Sequence, residues 1–496
     1  MNIKFWAKTD KENNPTTSVY EHLINVGCVA QRMAEMCPEL LERFNLDGDV
    51  VAASAGIHDI GKITPGFQRK CPQWLVDNNL ADIDTLNHWE STTEPSHGAV
   101  SQIAIQTFLT ENGISPAVAM NIGAALGGHH GRIKLPPQRN PLRYGLSSRI
   151  SEPCSGIDWN GERTRHAQAV WDYFNSPQLN LDPQSPAIWW LAGLSTIADW
   201  IGSDERFFTP ESGAVHAPEN SAELALDTIG FSAPIIRHGL SFHDKFGFSP
   251  NNLQLTAMDT ITRPGVYVIE APMGMGKTEA ALAVAYQLMT AGHARGIYFA
   301  LPTQATSNRI HLRLNEFLNR ITDNGNSRLI HSNSWLMDSA VVNYSNEQRD
   351  WFATSKKALL APFGVGTIDQ ALLGVVAAKH FFVRHYALAG KVVILDEVHS
   401  YDIYTGTLID KLVMTLEALG CTVIILSATL TGKRRDQIIS VESNGTDEPY
   451  PLITGRAETL PIEPQAIVPP KPVTTKVTFI DLNFRSCQNR VKHCNY

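Results

Sequence analysis

Apolar positions in the first two hundred residues recur at helical spacing. They predict helices over 20–30, 50–57, 99–109 and 189–200, and Ser18 is a plausible N-cap of the first. A further run of small residues starts at residue 124 and ends in two adjacent histidines, and the glycines on both sides of that pair would let a metal or a phosphate approach closely. This part of the chain is therefore predicted to be all α.

The pattern changes after residue 236. Apolar segments at 266–270, 391–395 and 421–426 are predicted to be buried strands, each followed by a polar motif and alternating with helices. This alternation is typical of a parallel sheet with helices on both faces. The sequence therefore predicts a multidomain chain, in which an α/β domain follows the all-α domain.

Composition shifts suggest where the domains meet. Residues 206–236 mix proline, glycine, serine and acidic side chains, and are interpreted as the end of the first domain and a connector. The predicted domains are 1–236 and 237–455. A proline-rich tail, 456–496, follows with one strand-like segment at 476–480.

The overall composition limits the class of protein. With 496 residues, 43% of them hydrophobic and 18% charged, the chain is typical of soluble globular proteins. No apolar run approaches the roughly 18–20 residues that cross a bilayer, and the N-terminus lacks a signal-peptide core. Seven cysteines without a Cys-x-x-Cys pair favour a reducing cytoplasm, and the net charge of −8 confines any nucleic-acid binding to local patches.

The first domain contains seven side chains of the metal-ligand type. His58 and Asp59 form an adjacent pair at the end of a small-residue helix, where they can converge on a group at the helix end. Asp199 is the one carboxylate of an apolar helix, and an unpaired buried charge is costly, so a metal is a fitting partner. Each histidine alone is more often structural than a ligand, but the set together predicts a metal site. Its members are His22, His58, Asp59, His97, His129, His130 and Asp199.

The chemistry of this set predicts phosphoester hydrolysis. Mixed imidazole and carboxylate donors suit Mn, Fe, Ni or Zn better than Mg or Ca alone, and two such ions can activate water and clamp a phosphoester. The pattern resembles an HD-superfamily phosphohydrolase domain with His58-Asp59 as the HD pair. The resemblance implies two divalent transition-metal ions held by the seven residues, and a catalytic Lys62 that stabilises phosphate charge. The roles of His129 and His130 are left undivided.

A basic stretch at 132–149 lies beside this predicted site. It contains five basic residues, no acidic residue and the aromatic Tyr144. Interleaved cations and a ring suit a single-strand backbone and a stacked base, although a solvated loop has the same composition.

Two motifs of the second domain predict a Mg-ATP site. A strand, a glycine-rich turn and a helix start occupy 266–278, which is the context of a phosphate-binding loop. Lys277 would reach the β and γ oxygens, and Thr278 would bind Mg²⁺. Asp396 and Glu397 follow a second apolar strand, where they would hold Mg²⁺ and activate the attacking water. The predicted loop residues are Gly274, Gly276, Lys277 and Thr278.

The second domain resembles the first RecA-like lobe of a superfamily 2 helicase of the Asp-Glu-x-His class. A Ser-Ala-Thr motif follows the third predicted strand at 427–429, and segments 301–308 and 365–370 match the family's DNA-gripping segments. Gln254 lies where the adenine-reading glutamine of that family is expected.

The order of the two domains narrows the resemblance. Over roughly 15–455 the chain is similar to the CRISPR-associated helicase–nucleases of type I systems. That resemblance implies a partner in an RNA-guided surveillance complex, and degradation of a displaced single-stranded DNA in antiviral defence. Because no apolar run is long enough to cross a bilayer, no association with a membrane is expected.

A helicase motor needs two RecA-like lobes, and 456–496 does not contain a second lobe or an arginine motif. The expectation is a truncated member, or a second lobe supplied by a separate polypeptide. Alone, the chain is expected to bind Mg-ATP weakly and to hydrolyse it barely.

Two other functions are compatible with the same motifs. One is an HD phosphohydrolase of small nucleotides with a regulatory nucleotide-binding lobe. The other is a truncated, non-catalytic product that binds DNA or its recruiting complex. The DNA-gripping segments favour the nuclease–helicase interpretation, because a nucleotide sensor has no need of them.

Overall fold

The first domain is helical, and its helices converge on one end where the predicted ligands lie. The structure, a computed structural model, describes residues 5–9, 12, 14–79, 96–131, 157–208, 217–323, 327–330, 351, 355–376, 378–398, 403–441, 449–457 and 460–468. The basic stretch at 132–149 and the strand-like segment at 476–480 lie outside these ranges.

The helices of the first domain follow a short antiparallel pair, β1 (Trp6–Thr9) and β2 (Pro15–Ser18). They are α1 (Val19–Glu35), α2 (Pro38–Phe44), α3 (Gly48–Gly56), a 3-10 helix (Ile60–Lys62), α4 (Pro65–Gln68), α5 (Pro72–Asp77), α6 (His97–Glu111), α7 (Pro116–Gly127), α8 (Trp159–Tyr173), α9 (Ala187–Gly202) and α10 (Pro218–Ile229).

The predicted helices are present, with two differences in extent. Ser18 caps α1 in a capping box with Glu21, as the sequence predicted. Helix α6 begins at His97, whereas the prediction placed that histidine before the helix. The predicted connector contains α10, whose apolar side packs against α1 because Ala222, Ala225 and its other apolar residues are buried.

The second domain is built on one eight-stranded sheet. Its strands are β3 (Gly265–Glu270), β4 (Ile297–Leu301), β5 (Arg328–Ile330), β6 (Phe363–Thr367), β7 (Val392–Asp396), β8 (Thr422–Ser427), β9 (Leu452–Ala457) and β10 (Leu460–Ala466), in the spatial order β10-β9-β3-β8-β7-β4-β6-β5. Its helices are α11 (Phe242–Phe246), α12 (Asn252–Thr260), α13 (Lys277–Thr290), α14 (Gln304–Ile321), α15 (Ser355–Ala358), α16 (Ile368–Leu372), α17 (Phe381–Leu388), α18 (Ile403–Ala418) and α19 (Gly432–Ile439).

Strands β3 to β8 are parallel, and the carboxyl ends of β3, β8 and β7 therefore lie at one edge. The pair β9–β10 is antiparallel and extends this sheet at one side. The predicted boundary at 455 falls inside that pair. The fold is thus the predicted all-α domain followed by an α/β domain, with a mainly parallel sheet.

Each face of the sheet packs into a different core. Val393 and Leu395 of β7 belong to one hydrophobic cluster, and Val392 and Ile394 to another, as expected for side chains that alternate along a strand. The first cluster continues without a break into the helical domain. Because burial of apolar area is the main favourable term in folding, this shared core fixes the two domains against each other.

Polar contacts reinforce the boundary between the domains. Arg295 donates from Nε to the Ala389 carbonyl at 2.6 Å and from Nη1 to Cys37 Sγ at 3.5 Å. Arg43 Nη2 donates to the Glu417 carbonyl at 3.0 Å. Hydrogen bonds donated from each domain to the other therefore hold the two domains together. Among the described helices, none is both long and apolar enough to cross a membrane.

Candidate metal centre and nucleotide site

His58 and Asp59 lie in the turn between α3 and the short 3-10 helix. Asp47 caps the start of α3 by accepting from the Val50 N–H at 2.7 Å, and the helix ends at Gly56. Both side chains of the pair are buried, with 0% and 2% exposure. The turn lets their side chains converge at the helix end, as the sequence predicted.

One group of ligand atoms gathers on one side of Asp59. Its Oδ2 lies 3.3 Å from His22 Nε2 and 3.5 Å from His58 Nε2. Asp199 Oδ1 lies 3.6 Å from each of the same two nitrogens. Ligands about 2.1 Å from one ion stand about 3.0–3.4 Å apart, and these separations are at most 0.2 Å longer than that, so a small approach of the side chains would let them share a transition-metal ion.

A second group gathers on the other oxygen of the same carboxylate. Asp59 Oδ1 lies 3.3 Å from His129 Nε2 and 3.5 Å from His97 Nε2. His130 Nε2 lies 2.7 Å from His97 Nε2 and 3.1 Å from His129 Nε2. His129 and His130 therefore belong to the same group, and Asp59 faces both groups with one oxygen each.

Hydrogen bonds direct two of the imidazoles toward the centre. His58 Nδ1 donates to the Ala55 carbonyl at 2.9 Å, and His129 Nδ1 donates to the Leu126 carbonyl at 2.7 Å. Because a carbonyl only accepts, the proton of each ring is on Nδ1 and the Nε2 lone pair points inward. His58 Nε2 and Asp59 Oδ1 are buried and make no hydrogen bond. Buried ligand atoms that make no hydrogen bond within the protein fit a site in which a metal ion would be their partner.

The charges of the centre also favour ligation. Burial lowers the pKa of His22 to about 3, and that of His97 and His130 to about 4, so these rings are neutral at pH 7. Burial acts to raise the pKa of Asp59, but Lys62 and the neighbouring histidines hold it well below its usual value. Lys62 Nζ pairs with Asp59 Oδ2 at 2.7 Å. Burial acts to lower the pKa of His129, but Asp59 and Asp199 raise it, so an ion would have to displace a more firmly held proton there. Neutral imidazoles and ionised carboxylates are the forms that bind metal.

The two groups differ in access. His97 and Asp199 are partly exposed, one in each group, with 19% and 15% exposure of their side chains, and of the seven residues only His130 is exposed. A substrate can therefore reach the centre from the side of His97 and His130.

Helices α6 and α7 cross at two glycines, and this crossing places His97 beside His129. A Cβ at Gly98 would lie 2.7 Å from the Gly127 carbonyl oxygen, and a Cβ at Gly127 would lie 2.6 Å from that of Gly98. No side chain fits there, so the sequence expectation that Gly127 makes room for a metal or phosphate is corrected. Gly127 makes room for a neighbouring helix.

We expect Gly127→Ala to destabilise the protein by about 1–3 kcal/mol, because the added methyl group forces the helices apart. Thermal unfolding followed by circular dichroism measures the change. Gly48→Ala is the matched control, since the nearest atom to a Cβ there is Gln31 Cγ at 3.6 Å. An equal unfolding temperature for both variants would show that the helix crossing does not need the glycine.

The predicted nucleotide residues line one cavity of about 490 Å³ at the carboxyl edge of the sheet. The loop residues come from the turn between β3 and α13, and the acidic residues from the end of β7. The predicted residues in this lining are Gln254, Gly274, Gly276, Lys277, Thr278, Asp396 and Glu397.

The loop conformation depends on Gly276. This residue has a φ of 79°, and a Cβ there would lie 2.3 Å from Gln254 Nε2. Lys277 Nζ donates to the Ala271 carbonyl at 2.5 Å, inside the turn that a phosphate would enter. Burial lowers the pKa of Lys277, while Glu397 and Asp396 oppose that shift.

Glu397 has an unusual backbone conformation. Its φ is 55°, and its N–H donates to the Leu426 carbonyl and to Asp396 Oδ1, each at 3.0 Å. Positive φ at a bulky residue costs free energy, and such strain is concentrated at functional sites. The two carboxylates are thus placed at the mouth of the phosphate loop.

Five residues of this lining were not among the predicted site residues: Phe248, Asn251, Met273, Glu279 and Arg313. Asn251 caps α12 in a capping box with Gln254, and its amide donates to the Met275 carbonyl at 2.9 Å. The Asn-x-x-Gln spacing could have indicated this cap. No local signal marks Phe248, which is 46% exposed, or Arg313, which pairs with Glu279.

Comparison with known proteins identifies both domains. Residues 6–208 match the family model for the Cas3 HD domain, and residues 251–438 match that for the DEAD/DEAH box helicases. A CRISPR-associated endonuclease/helicase Cas3 of Thermus thermophilus is 32% identical over 91% of this chain and 52% of its own length.

Solved structures agree with this assignment. The crystal structure of T. fusca Cas3 has a TM-score of 0.77 and 28% identity, covering 95% of this chain and 57% of that one. A chain of a CRISPR RNA-guided surveillance complex, described as pre-nicking, has a TM-score of 0.65 and 27% identity, covering 96% and 55%. The chain spans about half the length of the curated relatives it matches. With both domains matched in the order that the motifs predicted, the chain belongs to the Cas3 family of CRISPR-associated nuclease–helicases.

Proposed function

We propose that the helical domain is a metal-dependent nuclease that cuts single-stranded DNA. The observation that carries the proposal is the position of Asp59, whose two carboxylate oxygens face two groups of ligands. Bridging carboxylates of this kind belong to two-metal hydrolytic sites. The proposed ligands are His22, His58, Asp59 and Asp199 for one ion, and Asp59, His97, His129 and His130 for the other.

Two bound ions would supply an activated water and charge stabilisation for a phosphodiester. The chain's own residues would hold the ions and admit the substrate. The buried His22 and His58 would hold one ion together with the partly exposed Asp199, while the exposed His130 side would admit the substrate. Lys62, paired with Asp59 at 2.7 Å, is close enough to the centre to offset phosphate charge.

We further propose that the α/β domain binds Mg-ATP. Lys277 and the N–H groups at the start of α13 would contact the phosphates, Thr278 and Asp396 would hold Mg²⁺, and Glu397 would orient the attacking water. Gln254 and the exposed Phe248 also line this cavity, and they would read and stack the purine ring.

For the whole protein, we propose degradation of invading DNA in CRISPR defence. The similar chain that was solved in an RNA-guided surveillance complex supports such a complex as the partner. In that setting the DNA strand displaced by guide pairing would be the single-stranded substrate.

The metal requirement gives a first test. Labelled single-stranded DNA and a panel of nucleotides are incubated with the chelator-treated protein, and Mn²⁺, Ni²⁺ or Ca²⁺ is then restored. We expect DNA cutting with Mn²⁺ or Ni²⁺, without ATP, and little with Ca²⁺, because imidazole donors suit transition metals. Hydrolysis of nucleotides with no cutting of DNA would favour a small-molecule phosphohydrolase instead.

A further inference from the structure

One residue of the α/β domain lies against the turn that carries His130. The His380 N–H donates to the Gly131 carbonyl at 3.0 Å, and Gly131 directly follows His130. The His380 ring covers the glycine, since a Cβ on Gly131 would lie 2.5 Å from His380 Nε2. Gly131 also has a φ of 103°, which side chains rarely adopt. The end of the histidine pair is therefore shaped by the neighbouring domain.

The same ring also reaches the helix that carries Asp199. The rings of His380 and Trp200 are 5.9 Å apart in an edge-to-face arrangement, and Trp200 directly follows Asp199. On the inner side, Thr196 Oγ1 donates to the His129 carbonyl at 3.4 Å. Helix α9 and His380 thus enclose the turn of His129 and His130 from two sides.

The backbone of His380 is held in a conformation that histidine seldom adopts. Its φ is 59° and its ψ 33°, and the residue is 8% exposed. A left-handed conformation is costly at a non-glycine residue, so a glycine would be favoured if only the backbone mattered. The contacts of the His380 ring offset that cost.

Helix α17, which starts after His380, is fixed to both domains. A Cβ at Gly193 of α9 would lie 2.3 Å from the Phe382 carbonyl oxygen, which shows how closely the helices approach. On the other side Arg384 Nε donates to the Gln370 carbonyl at 3.0 Å, and His385 Nε2 donates to the Gly374 carbonyl at 2.8 Å. His380 is thus presented on a rigid element of the α/β domain.

We propose that His380 is a positioning residue for the metal position formed by Asp59, His97, His129 and His130. Its ring holds the Gly131 turn so that the His130 side chain stays aimed at the other ligands. The inference rests on the proposed metal function of that group. Outer residues that orient metal ligands typically change metal affinity about 10–100-fold when they are replaced.

His380→Gly in the full chain tests this proposal. Glycine accepts the backbone conformation and keeps the N–H that binds the Gly131 carbonyl, so only the ring is lost. Ser440→Gly is the matched control, because Ser440 also has a positive φ, of 53°, and ends the distant helix α19. Binding of Mn²⁺ is measured by calorimetric titration, with the unfolding temperature of each variant.

We expect the wild type and Ser440→Gly to bind two Mn²⁺ ions. In His380→Gly, one ion should bind as before and the other about 10–100-fold more weakly, at a temperature at which the variant is still folded. Equal affinities for both ions in all three proteins, or equal weakening of both ions in His380→Gly, would overturn the proposal. Fewer than two ions on the wild type would instead contradict the metal centre itself.

Discussion

Replacing Asp59 by asparagine is expected to abolish cutting of single-stranded DNA. Both carboxylate oxygens face ligand groups, at 3.3 Å from His22 Nε2 and 3.3 Å from His129 Nε2, so the loss of one charge affects both ions. Metal ions contribute several kcal/mol to stabilisation of a phosphoryl transition state, and a loss of about 4 kcal/mol is about 10³-fold in rate. The cleavage rate with Mn²⁺ is therefore expected to fall by at least about 10³-fold.

Asp227→Asn is a suitable control for this experiment. Asp227 is an exposed aspartate on α10 of the same domain, and its replacement removes the same charge without touching the centre. The control is expected to cut DNA at the wild-type rate. Cutting by Asp59→Asn at a rate near that of the control, with Mn²⁺ still required, would place the active centre elsewhere.

Replacing Lys277 by alanine is expected to weaken Mg-ATP binding by about 10–100-fold. The Lys277 ammonium group lies within the phosphate-binding turn, and a hydrogen bond to a charged group contributes about 1.5–3 kcal/mol. Fluorescence titration with a labelled ATP analogue measures the affinity. Cutting of single-stranded DNA without ATP should be unchanged, because Lys277 contributes no ligand to the metal centre.

The exposed Lys433 on α19 provides the comparison for the lysine variant. Lys433→Ala should bind the analogue as the wild type does. If Lys277→Ala retained wild-type affinity, the cavity would not be the nucleotide site. If it lost DNA cutting as well, the two sites would not be independent.

The sequence predicted the members of the metal centre because their chemistry is recognisable one residue at a time. A buried Asp199 and an adjacent His58-Asp59 pair require partners, and imidazole and carboxylate groups supply them. Their division into two groups depends on which oxygen of Asp59 each nitrogen faces. That is a property of the assembled helices, and no local pattern encodes it.

The edge of the sheet shows where sequence patterns mislead. Pro461 and Pro464 made the tail look irregular, but both lie in β10, the outermost strand, which pairs antiparallel with β9. Proline is tolerated on an edge strand because its missing N–H is not needed by a further neighbour. A proline-rich segment after a predicted sheet is therefore compatible with a final edge strand.

The contact between Gly131 and His380 could not be predicted from the sequence either, because it depends on how the two domains pack. Gly131 suggests a close approach, and the sequence offered a metal or a phosphate as the approaching group. The structure places the His380 ring there instead, because the shared core sets α17 against α9. Which group approaches a glycine depends on packing between distant parts of the chain.

Anomalous diffraction from crystals grown with Mn²⁺ would show whether Asp59 bridges two ions. We expect two Mn²⁺ peaks, about 3.5–4 Å apart, with one oxygen of Asp59 bound to each. His22, His58 and Asp199 would surround one peak, and His97, His129 and His130 the other. A single peak, or two peaks with Asp59 bound to neither, would contradict a two-metal centre built on this carboxylate.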